Sequence, residues 1–256
     1  MRKMQQSKTQ KGLLRILEKF IRGNVILYYL IRNIVIYFNI FEEDFNILKK
    51  YYLQKPIKII DIGASDGIAT NFFIKNLKVK KIFCYEPQKI FIKKLKKLKK
   101  KNKNIIIKEF GISNKETKET IYYPILNFFG KEIPLLTYAF YRRKELVDQM
   151  KLDFNNHKKI KIIKTSINLK KFRMIKEKID LIKIDINGLE LQIVKSLVRQ
   201  IKKDKPMLII ENNTSINEIN KILKKYNYNR YCNLNSKLIP HKNQNVLDLF
   251  FIPTKN

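Results

Sequence analysis

The stretch KPIKIIDIGASDGIAT, residues Lys55 to Thr70, decides the fold. A short β-branched apolar run, Ile57 to Ile62, follows Pro56, which is typical of a buried parallel strand. Two of the seven glycines in the chain, Gly63 and Gly67, lie in the loop after this run. Glycine permits a sharp turn and a close approach of a ligand to the main chain. The stretch therefore predicts a nucleotide-type pocket at the carboxyl edge of an open α/β sheet.

Downstream of this loop, predicted strands and helices alternate, which indicates a mostly parallel sheet. The predicted strands are Ile57–Ile62, Lys81–Tyr85, Asn104–Lys108, Thr120–Tyr123, Ile160–Ser166, Asp180–Ile186, Pro206–Glu211, Tyr228–Leu234 and Val246–Ile252. The predicted helices among them are Ile68–Leu77, Gln88–Lys101, Leu189–Ile201 and Ile216–Tyr226. We expect one catalytic domain over residues 55–256. Residues 124–159 form a long, aromatic connection of irregular pattern, with a helical pattern from Arg142 to Leu152. The connection is either a lid or substrate loop or a surface insertion.

Residues 1–54 are predicted to form a basic and apolar helical extension, with a helical pattern from Leu13 to Phe41. We favour a helix packed against the catalytic domain or a partner. The alternative is an interfacial helix on an anionic membrane, with tyrosines such as Tyr28 at the headgroup level. No signal peptide is apparent, and polar residues such as Arg32 interrupt any apolar span of ~20 residues. We expect a cytoplasmic protein, with peripheral contact at the inner membrane surface through residues 13–41 as the alternative.

The net charge is +33, which makes nucleic acid or an anionic membrane a physical candidate partner. The even spread of lysines along the chain disfavours a dedicated nucleic-acid surface. The lysine run in the helix Gln88–Lys101 has two interpretations, a phosphate-binding patch and, favoured, the solvated face of an amphipathic helix. Neither the two cysteines nor the two histidines have a ligand-like spacing, so we predict no metal site.

Carboxylates stand at the ends of successive predicted strands: Asp61, Glu86, Glu109, Asp185 and Glu211. The carboxyl ends of parallel strands line one crevice. Glu86 follows Gly67 by about 20 residues, the spacing at which an acid binds ribose hydroxyls. The pattern D-x-G-x-x-x-G lacks the third glycine of the dinucleotide fingerprint. This favours a ligand without a pyrophosphate, such as S-adenosylmethionine.

Five blocks of the sequence resemble the FkbM family of S-adenosylmethionine-dependent methyltransferases: DIGASDG, CYEP, NIIIKEFGISNKE, DLIKIDINGLELQIVKSL and KPMLIIEN. The resemblance covers roughly residues 55 to 252. It implies a Rossmann-like class I methyltransferase, an α/β fold whose mostly parallel seven-stranded sheet has an antiparallel last strand. It also implies helices on both faces of the sheet and methyl transfer (EC 2.1.1.-), usually to a hydroxyl oxygen.

The resemblance matches Asp61, Gly63, Ala64 and Gly67 to the cofactor loop of the family and Glu86 to its ribose acid. The full set of predicted cofactor-binding residues is Asp61, Gly63, Ala64, Ser65, Gly67, Glu86, Glu109 and Phe110. Lys183, Asp185, Gly188 and Glu190 match the fourth-strand block. Two departures each remove a negative charge near the site: Asn187 replaces a glutamate, and Ile167-Asn168 replaces a Leu-Asp pair.

Asp185 is the candidate group for orienting or deprotonating a hydroxyl acceptor. Lys183 lies on the same side of the strand by alternation and is positioned to pair with it. The alternative for Asp185 is a capping role at the helix that starts near Gly188. His157 is a second candidate base, although a solvated loop histidine is the favoured interpretation.

The leading hypothesis is O-methylation of a small molecule, a glycan or a lipid-linked sugar. An RNA methyltransferase is the second hypothesis, and only the charge motivates it. Base-methylating versions often carry an NPPY-type motif after the fourth strand, where this chain reads DING. The third hypothesis is a non-catalytic binding protein with the same fold, because Asn187 has replaced an acid.

Overall fold

The computed structural model describes residues 43–52, 54–128, 131–135, 138–153, 160–186, 188–244 and 246–254. The N-terminal segment 13–41, His157 and Asn187 lie outside these ranges. The described chain divides into two compact units, one from residues 43–118 and 167–254 and the other from residues 119–166. None of the described helices is both long enough and apolar enough to span a membrane.

The described elements follow one another in an order that alternates strand and helix through most of the chain. After a short 3₁₀ helix, Glu43–Asn46, they are α1 (Ile47–Tyr52), β1 (Ile57–Ile62), α2 (Ile68–Asn76), β2 (Val79–Tyr85), α3 (Lys89–Lys101), β3 (Ile105–Lys108), β4 (Gly111–Ser113), β5 (Thr117–Phe128), β6 (Lys131–Pro134), α4 (Arg143–Asp153), β7 (Lys161–Lys171), β8 (Leu181–Ile184), α5 (Glu190–Asp204), β9 (Met207–Glu211), α6 (Ile216–Lys224), β10 (Tyr228–Leu234), β11 (Lys237–Pro240) and β12 (Asp248–Pro253).

The first unit is built around an eight-stranded sheet in the order β11-β10-β12-β9-β8-β1-β2-β3. The pairs β9–β8, β8–β1, β1–β2 and β2–β3 are parallel. Strand β12 is antiparallel to both of its neighbours, β9 and β10. The structure thus confirms the mostly parallel sheet with its antiparallel last strand. It adds an eighth strand, β11, which pairs with β10 at the edge.

Side chains alternate between the two faces of the central strands, and each face has its own core. Ile60 and Ile62 of β1 pack in a cluster with residues of α5 and α6. Ile57 and Ile59 pack in a second cluster with residues of α1, α2 and α3. Helices therefore cover both faces, as predicted. The alternation also places Asp61 on the face covered by α1, α2 and α3.

The second unit contains β6, α4 and most of β5 and β7. Strand β5 pairs antiparallel with β6, from Ile125 opposite Pro134 to Phe128 opposite Lys131. Leu146 and Met150 of α4 form a small core against aromatic and aliphatic side chains: Tyr122, Tyr138, Phe140, Ile160 and Ile162.

The connection that was expected to be irregular, residues 124–159, is therefore more ordered than its pattern indicates. It contains the end of β5, strand β6 and helix α4, and of these the helical pattern from Arg142 to Leu152 predicts α4. The sequence pattern predicts only Thr120–Tyr123 of this strand, because Pro124 lies inside it and proline lacks the N–H that a central strand needs. The carbonyl of Pro124 still accepts the N–H of Leu135 at 2.9 Å.

Candidate functional site

The loop after β1 turns through three residues with positive φ, namely Gly63 (+76°), Ser65 (+48°) and Gly67 (+86°). The N–H groups of Gly63 and Ala64 both donate to the carbonyl oxygen of Tyr85, at 3.0 and 3.3 Å. Gly67 N–H donates back to the carbonyl of Ala64 at 2.9 Å. These bonds hold the loop against the carboxyl end of β2.

The two glycines of the loop are needed because other parts of the protein approach them. A Cβ at Gly63 would overlap the carbonyl oxygen of Asp185 and lie 2.9 Å from Cγ2 of Ile186. A Cβ at Gly67 would lie 3.0 Å from Cδ2 of Leu95 in α3. The close approach expected from a ligand is thus made, at Gly63, by the backbone that follows β8. Positive φ adds a second reason for glycine at both positions.

Glu86, after β2, is buried and bonded to the backbone. Its carboxylate accepts the N–H of Ser65 at 2.9 Å on one oxygen and the N–H of Gln88 at 2.8 Å on the other. Burial raises the pKa of Glu86 to about 7, although the two N–H donors act in the opposite direction. The loop after β1 and the end of β2 are therefore joined through one carboxyl group that titrates near neutrality.

Asp61 lies at the centre of a buried polar chain. The hydroxyl of Thr70 donates to Oδ2 of Asp61 at 2.6 Å, and its oxygen lies 3.4 Å from the thiol of Cys84. Nζ of Lys183 lies 4.0 Å from Oδ1, to which no described residue donates a hydrogen bond. Burial raises the pKa of Asp61, and the charge of Lys183 opposes the shift. Burial likewise raises the pKa of Cys84, and a buried thiol of this kind is unreactive.

Lys183 links this buried carboxylate to an exposed one. Its Nζ donates to Oδ2 of Asp185 at 3.0 Å, which confirms the pairing expected from strand alternation. The side chain of Lys183 is 5% exposed, whereas that of Asp185 is 43% exposed. Asp185 is therefore the member of the group that solvent or a substrate reaches.

Glu190, the first residue of α5, binds the backbone N–H groups of the segment that precedes this helix. Its carboxylate accepts the N–H of Gly188 at 3.0 and 3.1 Å and that of Ile186 at 3.4 Å. Acids at the start of a helix also complement its dipole. Burial raises the pKa of Glu190, and the backbone donors oppose that shift. Asp185 is left to its ion pair with Lys183.

Glu211, at the end of β9, extends the acidic edge. It stands opposite Asp248 in the register of β9 and β12. Burial, together with the charges of Asp185, Glu190 and Asp248, raises the pKa of Glu211 to about 8, and the charge of Lys183 opposes this shift. The ends of β1, β2, β8 and β9 therefore carry a row of carboxyl groups, as the strand-end pattern predicts.

Glu109 and Phe110, after β3, do not join this row. The side chain of Glu109 is half exposed, and its carboxylate pairs with Lys96 of α3 at 2.5 Å. The ring of Phe110 packs edge-to-face against Tyr85 at 5.7 Å, with Nζ of Lys170 5.5 Å from its centroid. Asn168 is exposed on β7.

Thr70 is the contributor to the site that the sequence analysis did not identify. Its only signal is its place in the first turn of the helix after the loop, where a hydroxyl lies near the end of β1. No group of three or more His, Cys, Asp or Glu side chains within the described ranges is arranged to hold a metal ion.

Comparison with known proteins identifies the family. The family described as the Methyltransferase FkbM domain matches residues 61–230. No curated protein matches the sequence. A crystal structure of the methyltransferase FkbM from Methylobacillus flagellatus KT is 16% identical, with a TM-score of 0.48. The comparison covers 77% of this chain and 43% of that one, so the chain spans less than half the length of that protein.

Two further solved structures are similar at lower scores. Precorrin-6y C5,15-methyltransferase from Geobacter metallireducens GS-15 is 12% identical with a TM-score of 0.40, over 80% of this chain and 82% of that one. TrmK from M. capricolum, in complex with S-adenosyl-homocysteine, is 14% identical with a TM-score of 0.38, over 83% and 67%. The family match, which runs from Asp61 at the end of β1 into β10 and includes the loop, Glu86 and the Lys183–Asp185 pair, shows that the chain belongs to the FkbM methyltransferase domain family.

Proposed function

We propose that the chain transfers a methyl group from S-adenosylmethionine to a hydroxyl oxygen. The acceptor class is a small molecule, a glycan or a lipid-linked sugar. The observation that carries this proposal is the Lys183–Asp185 pair. The exposed carboxylate of Asp185 lies at the end of a central strand, where Lys183 holds it. The backbone carbonyl of Asp185 lies against Gly63 of the loop. A carboxylate within hydrogen-bond reach of a hydroxyl suits general-base chemistry.

The residues after β1 and β2 fit a donor that carries a ribose. Glu86 is a buried acid whose oxygens each accept one backbone N–H and retain lone pairs for hydroxyl donors. Oδ1 of Asp61 is a buried oxygen without a hydrogen bond from any described side chain or backbone group. We assign the cofactor contacts to the loop Gly63–Gly67, Glu86 and Asp61. When bound, S-adenosylmethionine supplies an electrophilic methyl group on a cationic sulfur.

The roles of the chain's own residues follow from their exposure. Asp185 accepts the proton that the acceptor hydroxyl releases, because its side chain is 43% exposed. Lys183 is buried and holds Asp185 in place through the 3.0 Å bond. The charge of Lys183 also lies within 4.0 Å of Asp61, so a cation separates the buried carboxylate from Asp185. Preorganised charges of this kind need no rearrangement during the reaction.

Donor binding is the first test, and titration calorimetry of the full chain with S-adenosylmethionine measures it. Glu86→Gln should weaken binding by about 10- to 100-fold, since a hydrogen bond to a charged group contributes ~1.5–3 kcal/mol. Glu218→Gln is the control, because Glu218 is an exposed acid on α6, and its affinity should stay within about twofold of the parent. Failure of the parent chain to bind the donor would refute the proposal.

Methyl transfer is the second test, in a screen of acceptors with labelled donor. Small hydroxylated molecules, glycans, lipid-linked sugars and RNA form separate arms. With any acceptor found, Asp185→Asn should lower the rate by about 10²- to 10⁴-fold while donor affinity stays unchanged. Glu218→Gln, an exposed acid on α6, is the control and should keep the parent's rate. Donor binding without transfer in every arm would favour the non-catalytic alternative, and transfer to RNA alone would favour the RNA methyltransferase.

A further inference from the structure

Helix α3 carries a charge that sets it apart from the other helices. Its sequence, KIFIKKLKKLKKK, contains eight lysines and no acid in 13 residues. Helix α5, with 15 residues, reads ELQIVKSLVRQIKKD and carries four basic residues and two acids. Helix α6 reads INEINKILK and carries two lysines and one acid. The general lysine bias of the chain therefore does not account for α3.

The lysines of α3 form a ridge on the outside of the first unit. Phe91, Ile92 and Leu95 are buried in the core beneath the helix. At about 100° per residue, the lysines cover roughly 220° of its circumference. All eight are exposed, and we call them the lysine ridge: Lys89, Lys93, Lys94, Lys96, Lys97, Lys99, Lys100 and Lys101.

Most of the ridge has no acidic partner in the part of the chain that the structure describes. Lys96 pairs with Glu109, and Lys94 lies 3.9 Å from Asp66. The other six lysines form no ion pair with any described residue. Like charges one helical turn apart destabilise a helix. A bound polyanion would remove that repulsion.

We propose that the lysine ridge docks the protein onto an anionic lipid bilayer. Clusters of four to eight basic residues on an amphipathic helix are typical of anionic-lipid binding. Lysine side chains are long enough to reach a flat surface from both flanks of a convex ridge. Ile90, which is 44% exposed beside the ridge, adds an apolar contact.

The same features disfavour a nucleic acid as the partner. Proteins that bind single strands combine a charged groove with exposed aromatic rings on which bases stack. Arginine provides the forked donors that suit phosphate groups. Helix α3 is convex, its one aromatic ring, Phe91, is buried, and it contains no arginine. The inference does not depend on methyl transfer.

The position of α3 gives such docking a consequence for the site. The helix begins three residues after Glu86, and Lys94 lies beside Asp66 of the loop. Leu95 and Leu98 line the space next to Gly67. Contact with a bilayer through the ridge would hold the loop close to the headgroups. A loop held near the headgroups favours a lipid-linked sugar among the proposed acceptors. This conclusion about the acceptor rests on the proposed function.

Vesicle flotation of the full chain tests the docking. The probes are vesicles of phosphatidylcholine alone and of phosphatidylcholine mixed with phosphatidylglycerol, at about 0.1 M salt, where the Debye length is ~10 Å. The test variant replaces Lys89, Lys93, Lys97 and Lys100 with glutamine. The control variant replaces four exposed basic residues elsewhere with glutamine: Lys195, Lys221, Lys224 and Lys225. Both lower the net charge equally and keep good helix formers at helical positions.

We expect the parent chain and the control variant to float with anionic vesicles only. The ridge variant should partition at least about 100-fold more weakly, because each lysine near the surface contributes strongly to binding. Circular dichroism should show the same fold in all three proteins. Equal binding by both variants, or no binding by the parent chain, would overturn the proposal. So would loss of RNA retention in the ridge variant while its vesicle binding is unchanged.

Discussion

Four of the five acids at the carboxyl ends of the parallel strands fall into two kinds. Asp61 and Glu86 are buried, with 0% and 3% of their surface exposed. The side chains of Asp185 and Glu109 are 43% and 50% exposed. The buried pair is hydrogen-bonded by other parts of the fold, whereas the exposed pair is held by one lysine each. A carboxylate at a strand end is thus either buried and hydrogen-bonded by the fold or exposed to solvent and substrates, and the groups around it decide which.

The physical reason is the free energy of burying a charge. A carboxylate leaves water only where protein groups replace its hydrogen bonds. Thr70 provides one for Asp61, and the N–H groups of Ser65 and Gln88 provide two for Glu86. No N–H group or hydroxyl of the described chain makes such a bond to Glu109, which stays in solvent beside Lys96. We therefore expect substitutions around the buried acids to change the free energy of unfolding strongly and those at the exposed acids to change it little.

The largest effect is expected at the lysine shared by one acid of each kind. Lys183→Met leaves Asp61 buried without a cation, which should lower the free energy of unfolding by about 3–5 kcal/mol. The pKa of Asp61, already raised by burial, should rise further when Lys183 is lost. Stability should therefore decline more steeply as the pH rises than in the parent chain. Urea unfolding at several pH values measures both effects.

The double variant Asp61→Asn with Lys183→Met is the control for that experiment. It removes the unpaired charge together with its partner, so its stability should return to within about 1 kcal/mol of the parent. Equal instability of the single and double variants would show that Lys183 acts through packing and not through the charge of Asp61.

The next effect is a pH dependence that belongs to Glu86. Burial raises its pKa from 4.5 to about 7, so the folded state holds a proton that the unfolded state has released across this interval. The stability contributed by this proton is present below pH ~4.5 and is lost as the pH rises to about 7, by about 3 kcal/mol. Unfolding free energies from pH 5 to 8 should show the decline, and Glu86→Gln should make it shallower.

Glu109→Gln is the matched substitution at the exposed acid and should keep the slope of the parent chain. Glu211, whose pKa rises from 4.5 to about 8, adds to the decline over the same interval and extends it to higher pH in both proteins. A slope that survives in Glu86→Gln and disappears in Glu211→Gln would assign the titration to Glu211 instead.

The sequence predicts the framework of this comparison well. The bounds of β1 and β10 match the predictions, because each is a short run closed by residues that break a strand. Strand alternation also predicts that Lys183 and Asp185 lie on the same side of their strand, where they pair. These features depend on neighbours in the chain, which a pattern of apolar residues records.

The sequence does not separate the two kinds of acid, because their partners are distant in the chain. Glu86 is bonded to Ser65, 21 residues away, through a turn whose backbone N–H points at it. Glu109 lies at an equivalent strand end, but α3 brings Lys96 to it in place of a backbone donor. Strand-end position records neither contact. Two further elements escaped prediction for local reasons: β11 is an edge strand of only four residues, and Pro124 obscured the second half of β5.

A smaller effect is expected from the hydroxyl that bonds Asp61. Thr70→Val removes the donor of the 2.6 Å bond while it keeps the shape of the side chain. It should lower the free energy of unfolding by about 1–2 kcal/mol, because a buried acceptor then lacks a partner. Thr120→Val, at an exposed position of β5, is the control and should change stability by less than about 0.5 kcal/mol. A similar loss in both variants would point to the hydroxyl-to-methyl change itself.

The smallest effect is expected at the exposed pair of Glu109 and Lys96. Both side chains are about half exposed, so solvent and salt screen their attraction despite the short 2.5 Å contact. In a double-mutant cycle of Glu109→Gln and Lys96→Met, the coupling energy should be below about 0.5 kcal/mol and should shrink as salt is added. A coupling of about 2 kcal/mol that resists salt would contradict the division drawn here, because Glu109 would then belong with the buried acids that hold the edge of the sheet together.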